Sequence, residues 1–157
     1  MPFLTTSLVL FAFAVSAVRG ESHTVTFVNK CGKGMPRLIQ GSSTLSTGAA
    51  HTVNGPLIGA IAYLQTGSCG FNGESCTMVE TTLKNPTTPG SGSSTDITLI
   101  APHKFSVTTG FKYTNGCSTG ADCTSASCKT AFHVSTDTQV QVACQANNVN
   151  LEITFCD

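Results

Sequence analysis

The sequence predicts an all-β sandwich stapled by disulfides, and three observations carry that expectation. Apolar residues recur with period two in short runs rich in Val, Ile, Thr and Phe. Gly, Pro, Asn and Ser break the chain at intervals of about 8 to 12 residues, and no stretch sustains a 3.6-residue apolar period. Eight cysteines fall within 157 residues. Taken in chain order, residues 23–29 (HTVTFVN) alternate and are rich in β-branched side chains, which suits a half-buried opening strand. Further strands are predicted at 37–40, 51–53, 58–65, 77–83, 96–100, 105–109, 139–143 and 150–155, each bounded by turn-forming residues. Residues 85–95 (NPTTPGSGSST) read as a flexible excursion between two strands. Residues 115–128 form a second loop, dense in cysteine, whose shape depends on bridges more than on a core.

Composition narrows the function classes. The length suits one domain. Charged residues make up 10% of the chain, against about 25% in an average soluble domain, and eight basic residues balance eight acidic ones. Such a surface cannot neutralise a phosphate backbone, so nucleic acid is excluded as a natural partner. Disorder is excluded too, because 40% of the residues are hydrophobic.

Residues 4–18 form an apolar stretch too short to span a bilayer comfortably, followed by small residues at Val15-Ser16-Ala17 and Val18-Arg19-Gly20. This reads as a secretory signal peptide, residues 1–20, followed by a single domain over 21–157 with no membrane span. Removing the leader takes away Arg19 and leaves a formal charge of −1. All eight cysteines (31, 69, 76, 117, 123, 128, 144 and 156) follow it, and an even count in a secreted chain predicts four bridges with no free thiol. The C-x6-C, C-x5-C and C-x4-C spacings and the dispersed histidines His23, His51, His103 and His133 do not suit structural zinc. Eight cysteines allow 105 pairings, and spacing does not choose among them.

Five segments then share an order and spacing. HTVTFVNKC (23–31), MVETTL (78–83), STDITLI (94–100), CKTAF (128–132) and VQVACQANNVNLEITFC (140–156) together resemble thaumatin-like proteins, above all the short, secreted, fungal members. The resemblance covers nearly all of residues 21–157 and implies a thaumatin-like β-sandwich. It also implies four pairings: Cys31–Cys156, Cys69–Cys76, Cys117–Cys144 and Cys123–Cys128.

The same resemblance points to chemistry. Many thaumatin-like proteins carry an acidic cleft and bind β-1,3-glucan, and some hydrolyse it. Glycoside hydrolysis needs one protonated and one ionised carboxyl at the scissile bond. Glu80 matches the family's cleft Glu and Asp96 its first cleft Asp, which implies Glu80 as acid and Asp96 as base or nucleophile. His103 or Lys104 stand near enough in sequence to tune them. The match is partial: Ala101 replaces the next cleft Asp, and residues 60–68 carry no charge where the family has an Arg. Asp137 aligns with a further Asp and joins the substrate-binding set. Aromatic faces serve sugar binding, and Tyr63, Phe71, Phe111 and Tyr113 are placed for exposure, with Tyr63, Phe71 and Tyr113 taken as substrate-binding. Phe27, Phe132 and Phe155 read as core. The bland reading of Glu80 and Asp96 is a pair of solvated or turn-anchoring acids.

Other catalytic patterns are missing. There is no G-x-S-x-G elbow, and Gly90-Ser91-Gly92 lacks the Lys and following helix of a phosphate loop. No metal or cofactor is expected. The leading expectation is therefore a monomeric, secreted, extracellular or cell-wall endo-β-glucanase acting on β-1,3 or mixed β-1,3/1,4 linkages. The alternatives are a non-catalytic glucan-binding cell-wall protein and a defence-type protein.

Overall fold

The computed structural model describes residues 20–157, so the expected leader, apart from Gly20, lies outside the described residues. Twelve strands follow in order: β1 (Ser22–Asn29), β2 (Met35–Gln40), β3 (Ser43–Ser46), β4 (His51–Asn54), β5 (Leu57–Gln65), β6 (Met78–Leu83), β7 (Ser93–Thr98), β8 (Thr109–Thr114), β9 (Gly120–Cys123), β10 (Ala131–Phe132), β11 (Val142–Cys144) and β12 (Asn150–Phe155). Five form a sheet in the order β4-β1-β12-β8-β9; the other seven run β10-β7-β6-β5-β2-β3, with β11 also paired to β7. The expected all-β architecture is present.

The closing strand shows why the sheets stack. In β12, Leu151, Ile153 and Phe155 are buried and alternate with Asn150, Glu152 and Thr154. Period two thus places one apolar face inward. That face meets Leu38, Ala60, Ala62, Leu64, Val79, Leu83 and Ile97 of the larger sheet in one core. Burying each large apolar side chain contributes roughly 1.5–3 kcal/mol. β1 and β12 pair in parallel from Val25↔Leu151 to Asn29↔Phe155, which joins the two ends of the domain, and Cys31–Cys156 locks them just beyond that register. Cys69–Cys76, Cys117–Cys144 and Cys123–Cys128 complete the four pairings that the resemblance implied. Such bridges suit an oxidising compartment.

Hydroxyls pin the interior where apolar groups do not. Thr81 Oγ1 and Thr95 Oγ1 lie 2.6 Å apart across the β6–β7 ladder. The Tyr113 hydroxyl donates to the Val142 carbonyl and is hydrogen-bonded to Thr95 Oγ1, both at 2.9 Å. This network joins the two sheets through their core.

Several boundaries differ from the sequence expectation. The strand predicted at 105–109 begins only at Thr109 and runs to Thr114. Residues 105–107 instead satisfy their backbone through side chains: Ser106 N donates to Thr77 Oγ1 at 2.9 Å, and Thr77 Oγ1 donates to the Val107 carbonyl at 3.1 Å. The loop predicted at 85–95 ends earlier, because Ser93 and Thr95 already belong to β7. The short strands β3, β9 and β10 carry no apolar alternation and form by pairing to their neighbours.

Candidate functional site

The parity of two adjacent strands builds the site. In β6, Val79, Thr81 and Leu83 are buried, so Glu80 emerges on the outer face of the larger sheet and is exposed. In β7, Thr95 and Ile97 belong to the interior, so Asp96 emerges on that same outer face. The ladder pairs Glu80 directly with Asp96. Directly opposed residues carry Cβ atoms about 4.5–5.5 Å apart. The two acids that the resemblance singled out are therefore neighbours, side by side on one floor.

Their environments differ. Asp96 is 7% exposed, and its Oδ1 has no hydrogen-bond partner in the protein. Burial pushes its pKa up to about 7, the nearby Glu80 carboxylate adds to the rise, and a hydrogen bond with the Gln141 side chain opposes it. A carboxyl in this setting holds its proton close to neutral pH. Glu80, Ser94, Thr82, Gly59 and Gln141 line the depression around it, whose volume is about 280 Å³. Ser94 Oγ is the second buried polar atom there without a partner. Gly59 sits at φ 61° in a bulge of β5, a left-handed conformation that glycine adopts without strain, and its N–H donates to Thr82 Oγ1 at 3.0 Å.

The remaining expected residues are distributed differently. Asp137 Oδ2 accepts the backbone N–H groups of His133 and Val134 at 2.8 and 3.1 Å. These bonds hold its carboxyl below the usual range. It lines a separate depression, with Lys129 and Val140, that shares no lining residue with the one at Asp96. Its evident work is to shape that loop.

The expected exposure of three aromatics is corrected. Tyr63 is 2% exposed and donates its hydroxyl to the Phe71 carbonyl at 2.8 Å, while Phe111 and Tyr113 are 2% and 1% exposed. Strand parity turns Phe111 and Tyr113 into the core between the sheets, and the loop closed by Cys69–Cys76 covers Tyr63. None of the three presents a ring face to a ligand. Phe71, at 50% exposed, is open to solvent. Phe155 lies in the core, with Phe27 stacked on it at 6.4 Å. His103 makes its contact elsewhere, through Nδ1 to the Gly73 carbonyl at 2.9 Å, and lines the next depression.

Sequence reasoning missed Ser94 and Gln141. Ser94 carries a usable signal, since it shares the face of Asp96 by period two. Gln141 carries none, because it reaches the groove only where the chain before β11 returns to β7. Among the described residues, no group of three or more His, Cys, Asp or Glu is placed to hold a metal ion, and no helix is long and apolar enough to cross a membrane. No family model matches the sequence, and no curated protein matches it.

Proposed function

We propose that this is a secreted, thaumatin-like β-glucan hydrolase cleaving within β-1,3 or mixed β-1,3/1,4 chains at the Glu80–Asp96 pair. The observation that carries the reading is the buried Asp96, disposed to hold a proton up to about pH 7, beside an exposed carboxylate in a shared groove. Four disulfides and the five family-like segments support the family and an extracellular setting. The environment favours Asp96, not Glu80, as the proton donor to the leaving glycosidic oxygen. Glu80, on a flexible exposed side chain, then attacks the anomeric carbon, and Asp96, now ionised, activates the water that releases the glycosyl group. Direct pairing across one ladder suits this retaining route, which uses closely spaced carboxyls, better than the inverting one, which needs room for a water between them.

A second reading is favoured by one feature. Both acids rise from the same sheet face instead of from opposing walls, an arrangement that also suits glucan binding without cleavage. Laminarin and barley β-glucan separate the readings. Hydrolysis predicts new reducing ends that disappear in Glu80→Gln and Asp96→Asn; binding alone predicts retention on insoluble glucan with no reducing ends from the native protein.

A further inference from the structure

The acidic pair belongs to a longer row of side chains. On the outer face of the larger sheet, the ladder aligns Thr44, Ile39, Ile61, Glu80 and Asp96 in direct succession across β3, β2, β5, β6 and β7. Residues directly opposed in a ladder project to one face, and strands lie about 4.8 Å apart, so the row extends about 19 Å. Three depressions follow it. The one at Asp96 shares Gly59 with a second, lined by Gly41, Ile61, Asn72, Met78 and His103; that one shares Ile39 with a third, lined by Arg37, Thr44, Gln65 and Phe71. Phe71 and Asn72, on the disulfide-closed loop, border the second and third depressions, so the loop forms one wall.

We propose that these depressions are one channel for an extended, neutral glycan chain, with the acidic pair at one end and Phe71 as a stacking platform at the other. The inference rests on the glucan reading, in either its catalytic or its binding form. Each part of the channel asks for a feature of such a chain. At one end, Asp96 Oδ1 and Ser94 Oγ are buried without partners and call for hydroxyl groups. Along the floor, Ile61 offers part-exposed apolar surface over the buried Ile39, and Gly41 and Gly59 leave open space where a side chain would stand. At the far end, a half-exposed phenyl ring suits the apolar face of a sugar.

Other polymers fit less well. The channel runs crosswise over the sheet face, so a chain lying in it is not aligned to add as a strand along the β3 edge. The Glu80 carboxylate at its end disfavours a polyanion. The placement also means that ligand contacts accumulate on one side of the acidic pair, and affinity grows with chain length until the chain reaches Phe71.

The test is a titration of the native protein and of Phe71→Ala and Phe71→Tyr with β-1,3-linked gluco-oligosaccharides of two to eight sugars. The channel predicts affinity that rises with length in the native protein. In Phe71→Ala the longest ligand loses about tenfold relative to the shortest, and Phe71→Tyr, which keeps a ring, restores the length dependence. A native protein that binds the ladder but whose length dependence survives Phe71→Ala overturns the channel and leaves the glucan reading standing. A native protein that binds neither this ladder nor mixed β-1,3/1,4-linked gluco-oligosaccharides of the same lengths overturns both.

Discussion

Replacing Asp96 with Asn tests the electrostatics of the site without reference to any substrate. The folded protein binds a proton at Asp96 up to about pH 7, whereas the ordinary value for an aspartate is 3.8. Because the folded pKa is raised, the folded state holds the proton over a range where the unfolded chain has released it. Asp96 therefore contributes stability that is complete below pH 3.8 and is lost as pH rises to about 7. Each pH unit in that window corresponds to about 1.4 kcal/mol. Between pH 4.5 and 8.5 the native protein should lose about 3 kcal/mol relative to Asp96→Asn, whose amide does not titrate. Guanidinium chloride unfolding of both proteins at the two pH values, disulfides intact, gives the difference directly, and the titrations of groups not coupled to Asp96 cancel. Glu80→Gln removes only the second cause of the rise, so its effect on the same slope should be smaller. A native-minus-variant difference that is the same at both pH values, within about 0.5 kcal/mol, refutes the raised affinity of Asp96 for its proton.

Other perturbations report on the scaffold. Removing Cys31–Cys156, which closes 125 residues of sequence separation, should cost about 5 kcal/mol, against about 2 kcal/mol for Cys123–Cys128 with its separation of 5; paired Cys→Ala variants compared by denaturant midpoint check the order. Tyr113→Phe deprives the Val142 carbonyl and Thr95 hydroxyl of a buried partner and should cost about 1–3 kcal/mol, read by thermal unfolding. Gly120→Ala drives a methyl group into the Phe111 carbonyl and to 2.8 Å from the Lys112 Cα, both backbone atoms of the paired strand. It should cost about 1–3 kcal/mol and raise hydrogen exchange selectively along β8 and β9.

Period two made much of the architecture legible. Residues 23–29 and 150–155 alternate clearly, and both are strands in the structure. TGFKYT at 109–114 was not readable as a strand, because its glycine and lysine weaken the local signal while its place between β12 and β9 supplies the ladder. The aromatic residues show the limit from the other side. Tyr63 and Phe71 are eight positions apart around a disulfide-closed loop, yet one is buried beneath that loop and the other lies at its surface. No local pattern distinguishes them.

By itself the sequence determined an all-β domain, an even set of cysteines and, through family-like segments, which carboxylates to watch. Those properties depend on residue type and on spacing along one strand. Only the tertiary structure decided that Glu80 stands opposite Asp96, that Gln141 and Ser94 complete their groove, and that Asp137 and Tyr113 do not. Register between strands fixes which side chains meet, and register is set by the packing of both sheets on a common core.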